Sequence, residues 1–119
     1  MNYLFLEYPA CSTCQKAKKW LNENSIEYTD RHIVEQNPTA EELQEWVKCS
    51  GLPLKKFFNT SGLVYKSMEL KDKLPSMSEK EQISLLATNG KLVKRPLVIG
   101  DNVVLVGFKA EEWKERLSK

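Results

Sequence analysis

Tyr8-Pro9-Ala10-Cys11-Ser12-Thr13-Cys14-Gln15-Lys16 is the stretch from which the fold can be read. It separates an apolar run, Tyr3 to Leu6, from a segment that places Ala17, Trp20 and Leu21 at helical spacing. A strand therefore feeds a helix here, and two thiols fall on the joining loop and the first helical turn. The first N–H groups of a helix have no partner within it, and the helix dipole adds partial positive charge at the same end. Both favour a thiolate, the reactive form of cysteine.

Outward from that loop, Asn2 to Leu6 reads as a buried strand, Ser12 to Asn24 as a helix and Ile26 to Ile33 as a second strand. Such a crossover joins parallel strands with a right-handed turn, so the thiols lie at the carboxyl end of the first strand, where open α/β sheets bind ligands. The middle of the chain is helical. Thr39 with Glu42 forms a capping box before Leu43, Trp46 and Val47, and Gly51 with Pro53 ends that helix. Leu54, Phe57 and Phe58 suggest a short helical turn, Asn59 to Gly62 a loop, and Val64 to Met68 a further helical piece before Pro75. Ser78 and Glu81 cap a helix with Ile83, Leu86 and Ala87 inward and Gly90 as its stop. Pro96 to Ile99 and Val103 to Val106, joined by Gly100-Asp101-Asn102, read as a hairpin, and a last helix carries Trp113 and Leu117. The order is β-α-β, a helical insertion over about residues 38–90, then β-β-α. We expect an α/β fold with a mixed sheet in one domain, residues 1–119.

Composition narrows the function. With 119 residues, 41% of them hydrophobic, the chain can bury a core without cross-links. Its 18 basic and 16 acidic residues include no block of like charge, which argues against direct binding of nucleic acid. The N-terminal apolar run has no basic leader and is too short for a signal peptide or a membrane span, so a cytoplasmic protein without membrane contact is expected. Three cysteines are an odd count for a disulfide framework and point to a reducing compartment.

The spacing Cys11-Ser12-Thr13-Cys14 suits a nucleophile and a resolving thiol on one helical turn: one sulfur attacks, and the other displaces the product by closing an internal disulfide. Cys11, at or just before the helix start, is the expected nucleophile. A zinc site from Cys11, Cys14, His32 and Cys49 is the competing reading, but His32 and Cys49 stand alone without a second paired knuckle. His32 reads instead as a strand residue and Cys49 as a packing residue at a helix end. A phosphatase-type loop needs arginine six residues after the cysteine, and those positions hold Ala17 and Trp20. An oxyanion must then be held by a more distant cation. Arg95, directly before Pro96, is the candidate, because its planar fork of donors matches an oxyanion and its charge favours a thiolate.

Pro9-Ala10-Cys11 with its C-x-x-C, Leu54-Lys55-Lys56-Phe57-Phe58-Asn59-Thr60-Ser61-Gly62, Lys94-Arg95-Pro96-Leu97 and Val106-Gly107-Phe108 together resemble the arsenate reductase (ArsC)/Spx family over nearly the whole chain. The resemblance implies a thioredoxin-like fold in which Arg95 and a cis Pro96 face the cysteine loop. In glutaredoxin-coupled members the first cysteine attacks arsenate, glutathione resolves the adduct and three arginines hold the oxyanion. Cys11 and Arg95 match; Asn59 stands where a second arginine is expected and Lys109 near the third, with Ser12 and Thr13 beside the thiolate. An amide carries no charge and lysine lacks the fork, so redox chemistry is a safer expectation than arsenate turnover. No bound cofactor is implied; a reductant, glutathione with glutaredoxin or thioredoxin, is. Cys14 resembles the Spx branch, whose members use the dithiol as a redox switch and bind the C-terminal domain of the RNA polymerase α subunit. This chain ends straight after its last helix, without the tail of those regulators.

Overall fold

Strand β1 (Tyr3–Glu7) is buried on both faces, and its alternation lays out the rest of the molecule. Tyr3 and Phe5 pack into one hydrophobic cluster, Leu4 and Leu6 into the other. The computed structural model describes residues 2–117. In it β1 lies inside a four-stranded sheet of order β2-β1-β3-β4, with β2 (Tyr28–His32), β3 (Leu97–Ile99) and β4 (Val104–Val106). β2 runs parallel to β1, whereas β3 is antiparallel to both β1 and β4. This mixed sheet is the thioredoxin-like arrangement that the resemblance implies.

The register makes rows across the sheet. Phe5, Val98 and Leu105 stand side by side and meet Ala17 and Leu21 of α1 (Ser12–Glu23) and Trp113 of the last helix. Leu6, Leu97 and Val106 form the opposite row, covered by the helices between β2 and β3. Those are α2 (Ala40–Ser50), α3 (Leu63–Ser67), α4 (Leu70–Lys73) and α5 (Glu79–Leu86), with α6 (Ala110–Arg116) closing the chain on the α1 side. Glu42 both completes the Thr39 capping box and receives two hydrogen bonds from the Arg31 guanidinium, at 2.8 and 2.9 Å, which ties α2 to β2.

Several sequence readings change in detail. The second strand is shorter than Ile26 to Ile33: Ser25 takes a positive φ of 54° and the Ile26 N–H is held by the Leu21 carbonyl at the end of α1, so pairing starts only at Tyr28. Cys49 does not pack. It lies exposed on α2, 3.5 Å from the Glu45 carboxylate, because Leu43 and Trp46 hold the inward stripe of that helix.

Gly90 is not the stop of its helix either. α5 ends at Leu86 with Ala87 as its cap, and Gly90 opens a 3-10 turn, Gly90–Leu92. Its side of the backbone is pressed on the chain after β2: a Cβ there would lie 1.9 Å from the Ile33 carbonyl oxygen. Glycine is required at this point for close approach, not for a turn. Gly90→Ala should therefore cost about 3 kcal/mol of stability through forced backbone movement, read as a lowered denaturant midpoint. A midpoint equal to that of the unsubstituted chain would mean that the Ile33 backbone yields freely.

Candidate active site

α1 has no hydroxyl or carboxylate to cap it; its N-cap is Cys11, in extended conformation, and the Cys11 Sγ accepts the Cys14 N–H at 3.4 Å. The loop before it holds that position. The Cys11 N–H donates to the Tyr8 carbonyl at 2.9 Å, and the Gln15 amide side chain donates to the Pro9 carbonyl at 3.0 Å. Cys11 is half-buried and Cys14 is fully buried one turn inside.

These positions separate the two thiols electrically. Burial pushes the Cys11 thiol up, but hydrogen bonds from the Cys14 thiol and backbone, then a hydrogen bond and the charge of Arg95, outweigh it and hold Cys11 below the ordinary cysteine value. For Cys14 burial dominates; a backbone hydrogen bond from Tyr8 opposes it, but the neighbouring Cys11 adds to it, and the thiol is pushed up to about 12. Cys11 therefore ionises at lower pH than an ordinary cysteine, while its neighbour stays protonated at neutral pH and can donate to it.

Arg95 comes from a distant part of the chain. Phe58 bridges to Val93, the Lys94 N–H donates to the Phe57 carbonyl at 2.7 Å, and the Asn59 N–H donates to the Leu92 carbonyl at 2.7 Å. That pairing brings the loop bearing Asn59 against the segment that enters β3. The Arg95-Pro96 peptide bond is cis, Pro96 is buried, and its carbonyl accepts the Gly107 N–H at 2.9 Å. The Arg95 guanidinium lies 4.9 Å from the centre of the Tyr8 ring, a cation–π contact, and donates to the Lys91 carbonyl at 3.4 Å. Trp113 Nε1 donates to the Gly107 carbonyl at 3.2 Å, which fixes the turn before Lys109, the N-cap of α6.

Cys11, Thr13, Asn59, Arg95 and Lys109 all line one cleft of about 880 Å³. Ser12 and Cys14 do not: Ser12 is exposed on the first turn of α1 and Cys14 lies beneath it. Tyr8 escaped the sequence reading, although an aromatic residue just before the thiol loop was a signal. So did the concentration of charge. Lys55, Lys56, Lys94 and Arg116 join Arg95 and Lys109 around the cleft against a single carboxylate, Glu112. The Lys55-Lys56 pair and Lys94 fall inside the segments that carry the family resemblance, whereas nothing in the sequence marks Arg116.

His32 and Glu7 lie near the same end of the sheet. His32 Nδ1 accepts the N–H groups of Val34 and Glu35, at 3.2 and 3.0 Å, so that nitrogen closes a turn. Glu7 falls on the α1 side of β1 by the alternation that places Phe5 there, and Lys18 bridges it to Asp30 at 3.2 and 2.7 Å. Burial raises the Glu7 carboxyl above its usual range, and its Oε1 has no hydrogen-bond partner. Among the described residues no group of three or more His, Cys, Asp or Glu side chains is placed to hold a metal ion, and no helix is long and apolar enough to cross a membrane.

The chain has counterparts among known proteins. A model of the ArsC family matches residues 6–116. The structure of an ArsC-family-related protein from Bacteroides fragilis is 70% identical, covers 97% of each chain and superposes with a TM-score of 0.94. The uncharacterised protein YusI of Bacillus subtilis is 52% identical over 97% of this chain and 98% of its own. The global transcriptional regulator Spx of Staphylococcus epidermidis is 27% identical over 93% of this chain and 83% of its own.

Because alkylation requires the thiolate, its rate at each cysteine rises with pH through that thiol's own midpoint. Mass-spectrometric mapping of iodoacetamide labelling should place the Cys11 midpoint below the free-cysteine value of about 8.5, and leave Cys14 unlabelled until far higher pH. Arg95→Ala should move the Cys11 midpoint up. An unmoved midpoint would remove Arg95 from the thiolate's environment.

Proposed function

The chain belongs to the ArsC family, and we propose that within it this member is a thiol–disulfide oxidoreductase with Cys11 as nucleophile, Cys14 as resolving thiol and Arg95 as thiolate stabiliser and anion clamp. The observation that carries this is the Cys11 sulfur itself: it caps α1, receives the Cys14 N–H and is pulled towards the thiolate by Arg95, while Cys14 stands protonated behind it.

In the first step the Cys11 thiolate attacks one sulfur of an oxidised substrate R–S–S–R′. A Cys11–S–S–R bond forms, the old S–S bond breaks, and R′–S⁻ leaves with the electron pair and takes up a proton. Cys14 then gives up its proton and attacks Cys11 Sγ, closing the Cys11–Cys14 disulfide and expelling R–S⁻. Two electrons have passed from the dithiol to the substrate. An external thiol, glutathione with glutaredoxin or thioredoxin, returns the pair to its reduced form.

Disulfides are favoured over arsenate as the substrate. Arg95 is the fork among the residues read as the oxyanion cage, where Asn59 brings an uncharged amide and the exposed Lys109 a point charge. Small disulfides and arsenate, each offered with both reductants, test the reading. Cys11→Ser should lower disulfide reduction by on the order of a hundredfold or more, and Cys14→Ser should accumulate a Cys11 mixed disulfide visible in the intact mass. Undiminished reduction by Cys11→Ser would end the proposal.

The match to Spx favours a second reading, a redox-sensing regulator that binds the RNA polymerase α subunit. Under the first reading the reduced and oxidised chains should retain the α C-terminal domain equally little in a pulldown. Strong retention in one redox state, without turnover, would favour the regulator.

A further inference from the structure

We propose that the cleft beside Cys11 is a docking groove for an acidic polypeptide segment that carries the disulfide Cys11 attacks; this rests on the thiol–disulfide reading above. The whole chain is nearly balanced, with 18 basic and 16 acidic residues. The cleft is not. Its wall gathers Lys55, Lys56, Lys94, Arg95, Lys109 and Arg116 against Glu112 alone. These cations come from three separate parts of the chain: the turn after α2, the segment entering β3, and the two ends of α6. The fold has to converge to bring them together.

Size argues against a small oxyanion as the main occupant. The cleft holds about 880 Å³, within the range of roughly 300–1,000 Å³ that encloses drug-sized ligands. A tetrahedral oxyanion takes about the room of two waters, on the order of 60 Å³, and would need only the Arg95 end. Cations spread along the remaining length suit several carboxylates spaced along one chain.

The apolar surface points to a polypeptide. Among the described residues two large hydrophobic side chains are exposed, Leu52 at 39% and Leu63 at 85%. Leu52 lines the cleft, and Leu63 follows Gly62 of its wall. Anchors of this kind beside a charged groove suit a segment with apolar side chains between its acids. Once docked, the segment presents a sulfur to Cys11, and the exchange proceeds as above: a mixed disulfide forms, the other sulfur leaves with its electron pair and a proton, and Cys14 releases the segment.

Three disulfides offered to the fully reduced protein test this, with the rate of attack read by rapid quench and mass spectrometry. One is the disulfide dimer of a peptide whose cysteine is flanked by aspartate, glutamate and leucine. Another is the same dimer with asparagine and glutamine for the acids, and the last is bis(2-hydroxyethyl) disulfide. At low salt the acidic dimer should be attacked about tenfold faster than its amide counterpart or more, the size of effect that complementary charge gives an association rate. Raising ionic strength from about 0.02 to 0.5 M should remove most of that preference, and so should the double variant Lys55→Glu/Lys56→Glu. Equal rates for the two peptides at low salt overturn the inference. If the small disulfide is attacked all the same, the thiol–disulfide reading stands; if none of the three is attacked, both fall.

Discussion

The start of α1 depends on a sulfur atom. Helix N-termini usually satisfy their free N–H groups with a hydroxyl or carboxylate, a cap contributing about 1 kcal/mol. Here Cys11 does so, accepting the Cys14 N–H at 3.4 Å from a position that the Tyr8 carbonyl fixes. One contact thus closes the helix and presents the thiol. A charged sulfur is a better acceptor than a neutral one, so the reduced, ionised form is the one that the helix end favours, and any bond made at Cys11 weakens its cap. The reactive state and the folded first turn support each other.

Around that turn the sheet acts as a partition. α1 and α6 cover one face and the helices between β2 and β3 cover the other, so the segments that reach Cys11 arrive from both. Pairing of residues 57–59 with 92–94 brings in Asn59 and positions the approach of Arg95, and the Pro96 carbonyl with Trp113 Nε1 holds the Gly107 turn that leads to Lys109. Tyr8 contributes twice. Its backbone anchors Cys11, and its ring lies against the Arg95 guanidinium.

The parts legible in sequence are those governed by neighbours along the chain. Both capping boxes, Gly51 as the end of its helix and the place of Cys11 at the helix start follow from spacings of a few residues, and all stand in the structure. So does the β-α-β unit, because the thiol loop, its strand and its helix are contiguous. Readings that depended on a distant partner fared worse. Gly90 looked like a helix stop because the Ile33 carbonyl that forbids a side chain there is far away in sequence. Cys49 looked like packing because its helix face could not be set from the C-terminal turn alone. The charge of the cleft was invisible for the same reason: lysines spread along the chain at near balance become a concentrated field only when the fold collects them.

Two thiols three residues apart have the same intrinsic chemistry, so their environments alone assign the order in which they react. Burial penalises both charged forms and each sulfur accepts a backbone hydrogen bond, but only Cys11 also receives a hydrogen bond from the neighbouring thiol and one from the guanidinium. In the proposed cycle this difference removes itself. While Cys11 is a thiolate, its charge and the hydrogen bond it accepts keep Cys14 protonated. Once Cys11 is tied up in a mixed disulfide that charge is gone, and Arg95, which also favours ionisation of Cys14, has no other thiolate to stabilise. The second thiol therefore becomes easier to ionise only after the first has reacted, without any rearrangement of the helix that carries them.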